Sequence, residues 1–138
     1  MEFLTRNLCM AKDIGVHGNL FGGTMMSWLD EAGAMLAANV CKTNKMITLK
    51  FEEIVFKKPV KENHHVHFYG EVKSVGTTSI RLSIVAMRYD VYDGTEEEVC
   101  STEVIFVRIS HEGKKRPIDS DIREKFNNKK DEQPKKNN

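Results

Sequence analysis

The sequence predicts an α+β domain in which one long helix packs on an antiparallel sheet. Three observations carry that prediction. Thr24 to Cys41 is apolar almost all the way round and follows a loop rich in glycine. Four later stretches between Met46 and Ser110 alternate apolar and polar residues with the period of a strand. Short turn signals, not helices, separate those stretches, and strands joined by tight turns run antiparallel.

In chain order, Glu2 to Met10 reads as a short edge strand. Ala11 to Gly23 is loop, with Gly15, Gly18, Gly22 and Gly23. Thr24 serves as N-cap or first-turn residue, and Lys42-Thr43-Asn44 supplies a cationic, turn-prone exit near Cys41. From Met46 to Phe56 the period falls to two. Ile47, Leu49 and Phe51 share one face, and Thr48 and Lys50 the other. Glu52-Glu53 breaks the phase before Ile54 and Phe56 resume it, which predicts a bulge. Pro59 ends this strand and Glu62-Asn63 fits a turn. The second strand is His65 to Val75, followed by a turn at Gly76. Thr78 to Tyr92 is the third, with Ile80, Leu82 and Ile84 alternating. Asp93-Gly94 then turns the chain into a fourth strand, Glu97 to Ser110.

The domain is expected to span residues 1–118, leaving 119–138 as a polar tail. Ile118, Ile122 and Phe126 lie at i, i+4 and i+8, the spacing of a short docked helix. From Asn127 the composition is Lys- and Asn-rich and reads as disordered. Acids interleave the tail's bases and no aromatics follow, so a solvated terminus is favoured over a nucleic-acid arm.

Composition narrows the classes of function. The 138 residues carry a formal charge of +1, which gives no strong field toward nucleic acid or a membrane surface. No apolar run is long enough for a membrane span, because Asp30, Glu31 and Asn39 interrupt the helix. The opening MEFLTRNLCMAKD lacks the basic-then-apolar order of a signal peptide. Cys9, Cys41 and Cys100 are odd in number and lack metal-ligand spacing, so reduced thiols and a cytoplasmic location are expected.

A helix apolar on every side needs more than one neighbour, and a single sheet can wrap only part of it. A second subunit is the simplest cover, so a symmetric dimer is expected. The helix nonetheless carries Asp30 and Glu31, which point roughly 100° apart. Both can lie at the helix edge, or Asp30 can look into a pocket. A buried carboxylate is costly and is kept mainly for chemistry or a partner. In apolar surroundings its pKa rises, which makes it a better base for water. Gly22-Gly23 permit close approach of a ligand, and amides at a helix start favour an oxyanion; the same pair also suits a plain tight turn. Together these elements describe an acyl-transfer site.

The residues GNLFGGTMMSWLDEAGA, Gly18 to Ala34, resemble the acyl-CoA thioesterases of the hotdog fold, in the branch of cytosolic acyl-CoA hydrolases and their small bacterial relatives. The similarity continues through Ile54 to Val60 and Val72 to Ser79, with its VGTTS turn, and ends near Lys114 to Pro117. The resemblance implies a central helix wrapped by an antiparallel sheet, active sites formed by paired units, and dimers assembled as trimers of dimers. It implies hydrolysis of acyl-CoA to acid and coenzyme A, with no separate cofactor or metal. Asp30 would be base or nucleophile. Asn19, acting from the other subunit, would orient water or substrate. Amides near Gly22, Gly23 and Thr24 would hold the thioester oxygen. Three positions depart from the pattern: Phe21, where many relatives carry His; Asn63-His64, where Gly-Asp is common; and His17, where a small polar residue is usual.

Coenzyme A needs cations and a slot. Gly76, Thr77, Thr78 and Ser79 are candidates for backbone and hydroxyl contacts, and Lys57, Lys58 and Lys73 for its phosphates, although solubility alone also explains each lysine. Met25, Met26, Trp28 and Phe56 fit an acyl tunnel or, more simply, a core. His65 and His67 share a strand face but lack a third ligand, so with His64 they read as strand histidines beside solvent rather than a metal site. Two rival functions stay in view. A hydratase would pair a histidine with a helix acid, as His17 with Glu31. A non-catalytic acyl-CoA binder would share the pocket without needing Asp30.

Overall fold

The structure, a computed structural model, describes residues 1–132, with side chains as far as Asn128. Five antiparallel strands form one sheet in the order β1-β3-β4-β5-β2. They are β1 (Glu2–Leu8), β2 (Met46–Phe56), β3 (His65–Val75), β4 (Ser79–Tyr89) and β5 (Glu96–Arg108). The long helix α1 (Gly22–Cys41) joins the two edge strands, β1 and β2, and a short α2 (Ser120–Glu132) closes the described chain. The α+β expectation holds, and β3 has the bounds the alternation gives.

The core lies between α1 and one face of the sheet. Phe68, Ile80, Leu82, Ile84, Val104 and Phe106 point inward and are fully or almost fully buried. Leu29, Ala32 and Leu36 of α1 meet them, and Trp28 sets its ring edge-on to Phe68 at 6.3 Å. Gly33 allows the close approach: a Cβ there would stand 3.0 Å from the Phe106 ring, so the helix axis comes nearer β5 than an alanine would permit. Away from the core α1 exposes Ser27, Glu31 and Met35, with Met26 exposed on another flank, and the edge strand β2 exposes Ile47 and Leu49.

Several expectations need correction. The helix begins at Gly22, not Thr24, because Phe21 is the extended residue before the first turn and the glycines themselves are helical. Strand β2 shifts register between Phe51 and Glu53, at the predicted bulge, and also between Thr48 and Lys50, where none is expected. The unexpected shift leaves Leu49 unpaired and takes Phe51 off the face of Ile47 and Leu49: Thr48, opposite the inward Phe106, and Phe51, opposite Val104, face inward, while Ile47 and Leu49 face out. The third strand stops at Tyr89, because Asp90 bonds Thr95 across the hairpin loop (2.9 Å). The first strand ends at Leu8 and the last at Arg108. At the far end, Ile118 and Ile122 are buried and Phe126 packs on the core, as their spacing predicts. Residues 127–132, expected to be disordered, continue α2; residues 133–138 lie outside the described residues.

Candidate active site

The site is built where α1 starts. Asp13 is buried and accepts a hydrogen bond from the Met10 amide (2.9 Å), and its own carbonyl accepts from the Phe21 amide (2.9 Å). The Leu20 amide donates to the Val60 carbonyl (2.7 Å), which ties the glycine loop to the β2–β3 connection. These bonds fix the backbone that enters the helix. Thr24 and Met25 both donate to the Phe21 carbonyl (3.0 and 3.1 Å), whereas the amides of Gly22 and Gly23 have no acceptor among the described residues. The available donors are therefore at Gly22 and Gly23, not at Thr24, whose amide is already committed. The Phe21 ring folds over Gly23: a Cβ at that glycine would lie 2.7 Å from it.

The two helix acids have different environments. Glu31 is exposed and makes no hydrogen bond or ion pair among the described residues. Asp30 is half-buried, turned toward β2, and its Oδ1 accepts the Thr48 hydroxyl at 2.5 Å. Thr48 is the residue that sequence reasoning missed. The two-residue alternation sets it on the face away from Ile47 and Leu49 but gives no means of telling that this face is the one that meets α1. Asp30 stands at the seam of α1 and the edge strand.

An open cleft of about 390 Å³ lies beside the helix start, lined by Asn19, Leu20, Gly22, Met25, Phe56, Lys57, Lys58, Pro59, Val60 and Val99. It brings together four of the predicted site residues, but not Asp30, Gly23 or Thr24. Asn19 Oδ1 accepts from Lys61 Nζ (2.7 Å) at its rim. Lys57 pairs with Glu98, and Lys58 with Glu97. Phe56 is exposed and forms one wall, so it is neither core nor enclosed tunnel; Met26 is likewise exposed, while Met25 and Trp28 are core.

The other proposed coenzyme contacts lie apart. Lys73 pairs with Glu71 (3.3 Å) and lines a separate groove beside Phe126. The turn Gly76 to Ser79 sits at the opposite end of the sheet from the helix start. Its Gly76 amide donates to Ser79 (2.8 Å), while its Thr77 and Thr78 carbonyls accept from Ile118 and Arg108 (both 2.8 Å). In this chain the turn holds the C-terminal segment in place.

His17 is exposed and makes no hydrogen bond or ion pair with Glu31 among the described residues, so the hydratase pairing has no geometric support within this chain. His67 is not beside solvent. It is buried on the outer face of the sheet, stacked on Tyr89 at 4.4 Å and edge-on to Phe3 at 5.6 Å. Burial lowers its pKa, and the nearby Glu96 carboxylate opposes that shift. No cluster among the described residues could hold a metal ion. The three cysteines are free and buried, and burial pushes Cys100 up to about 11. No described helix is long and apolar enough to cross a membrane.

A mid-helix acid at an open seam, unspent amides at the helix start and a helix-on-sheet frame define the hotdog class of fold. Residues 17–100 match the family described as the Thioesterase superfamily, and the chain belongs to it. It is 32% identical over 120 residues to the acyl-CoA thioester hydrolase YciA of Salmonella typhimurium, a match covering 85% of this chain and 90% of that one. Among solved structures it resembles the hexameric broad specificity acyl-coenzyme A thioesterase HI0827, crystallised as an aspartate-to-alanine mutant (28% identity, TM-score 0.86, covering 96% of this chain and 99% of that chain). It also resembles Cj0915, a hexameric hotdog fold thioesterase of Campylobacter jejuni (29% identity, TM-score 0.81, covering 92% and 97%).

Proposed function

We propose that this protein hydrolyses acyl-CoA thioesters to the free acid and coenzyme A. The observation that carries the reading is Asp30, half-buried at the seam of α1 and the edge strand β2, with its carboxylate held by Thr48. A fixed acid beside apolar surface suits attack on a carbonyl rather than a purely structural role. The similarity to YciA supports the same chemistry.

The site is completed by a second copy. Asp30 and the Asn19–Gly22 cleft are separate within one protomer, and the exposed Met26 and Met35 on α1 and Ile47 and Leu49 on the edge strand β2 leave apolar surface that a partner would bury. In the dimer, Asp30 of one protomer faces Asn19 and the Gly22 and Gly23 amides of the other. Asp30 activates water, or attacks the carbonyl directly; Asn19 orients water or thioester; the amides take the developing oxyanion. Coenzyme A leaves as thiol. Three such dimers would form a hexamer, the assembly described for HI0827 and Cj0915. Lys57, Lys58 and Lys73 each have a carboxylate partner, and Lys73 and the Gly76–Ser79 turn lie away from the cleft, so the coenzyme's phosphates would reach these last only from a neighbouring protomer. Three buried free thiols suit a reducing, cytoplasmic setting.

Thiol release from a panel of acyl-CoAs, with wild type and Asp30→Ala side by side, tests the reading. Release by wild type and its loss in the variant support it. Binding without release would make the protein a carrier instead. Incorporation of labelled water in a single turnover separates base from nucleophile, since a nucleophilic Asp30 would itself take up the label.

A further inference from the structure

We infer that the cleft between the start of α1 and the β2–β3 connection receives the acyl chain, and that Phe56 sets the chain length it accepts; this rests on the hydrolase reading above. Most of the cleft wall is carbon, from Leu20, Met25, Val60 and Val99, with Phe56 on one side and Asn19, Lys57 and Lys58 as its polar lining. The Phe56 ring stands 3.7 Å from where a Cβ on Gly22 would be, so it abuts the helix start directly. Its backbone is fixed as well, because the next amide, that of Lys57, donates to the Val99 carbonyl (2.9 Å). The size of the side chain, rather than a moving loop, therefore determines how far the cleft extends.

Three parts of an acyl-CoA could occupy this space, and two fit poorly. The nucleotide needs cations with open valences, yet Lys57 and Lys58 are paired with Glu98 and Glu97, and Lys61 with Asn19. The pantetheine arm carries two amides, whose partners are at the rim, at Asn19 and the lysines, rather than along the apolar walls. An acyl chain needs only apolar surface and gains from every methylene it buries. The position agrees. Gly22 lines the cleft and has an uncommitted amide, so a carbonyl oxygen resting there leaves its alkyl tail at the cleft mouth. A volume of about 390 Å³ is at the small end of ligand sites, which run from roughly 300 to 1,000 Å³, and it suits chains of short to intermediate length.

The test is kcat/KM for saturated acyl-CoAs from acetyl to palmitoyl, measured on wild type, Phe56→Ala and Phe56→Trp. Phe56→Ala should move the optimum to longer chains and raise the long-to-short ratio about tenfold or more, and Phe56→Trp should lower it. Phe56→Leu, a milder truncation, should move the ratio the same way as Phe56→Ala and serves if the alanine variant fails to assemble. A common scaling of every chain length, with the profile unmoved, overturns the inference and leaves the hydrolase reading intact. Absence of thiol release from every substrate with wild type overturns that reading, and this inference with it.

Discussion

The two sides of α1 are built from similar residues and meet different fates. On one side Leu29, Ala32, Gly33 and Leu36 are buried against β4 and β5, close enough that Gly33 cannot carry a side chain without displacing Phe106. On the other, Ser27, Glu31 and Met35 lie open, and the paired Asp30 sits on the flank toward the edge strand β2. The difference teaches that apolar character alone does not tell a core from an exposed face. The covered side is satisfied by its own chain. The open side retains an apolar side chain among polar ones, and the acid held by Thr48 stands at its edge, where the proposed second copy would complete the site.

The sharpest way to break this contrast is Asp30→Ala. It removes the acid of the open side and should lower kcat by about 10²–10⁴-fold while the thermal midpoint of unfolding moves little. Next is a matched pair. Leu29→Ala on the covered side should cost about 2–5 kcal/mol of stability in urea unfolding. Met35→Ala on the open side should cost the isolated fold far less and instead weaken assembly, read by light scattering at decreasing protein concentration. Comparable losses of stability in both would erase the distinction. Thr48→Val keeps the shape and removes the hydroxyl that holds Asp30. A roughly tenfold fall in kcat with KM nearly unchanged is expected, and Thr48→Ser should restore most of it.

The smallest effect lies away from both sides of α1, at His67. Its folded pKa is below the ordinary imidazole value of about 6.5, because burial disfavours the cation; Glu96 pulls the other way, while Arg6 and His65 reinforce the lowering. As pH falls the unfolded chain takes up the proton first. The stability contribution is therefore whole above about 6.5 and is lost as pH drops through the folded value. Urea midpoints measured downward from neutrality should decline, and His67→Phe should flatten that decline.

Much of this was legible in residue order. The strands from His65 onward follow alternation that burial alone imposes, because both the inward and outward residues are consistent over long runs. The helix and Asp30 stand out for the same reason. Strand β2 did not, since an unpaired Leu49 changes which side chains face inward without changing composition. Thr48 was hidden by the same bulge. The start of α1 was placed two residues late because glycines are poor helix formers in isolation, and here tertiary bonds at Leu20 and Phe21 override that preference. The placement of Asn19 and Gly22 in one cleft with Lys57 and Lys58 depends on the Leu20–Val60 bond, a long-range contact that no local pattern encodes.

The three buried thiols have a practical consequence. Thiolate is the species that alkylating reagents attack, and burial raises the pKa of Cys9, Cys41 and Cys100 alike. Cys9, Cys41 and Cys100 are also closed off from solvent, so slow labelling of the native protein by maleimides is the expected outcome. A single cysteine introduced on the surface would take a fluorophore or spin label selectively, with no need to engineer away the natural ones, and distances between protomers would become directly measurable.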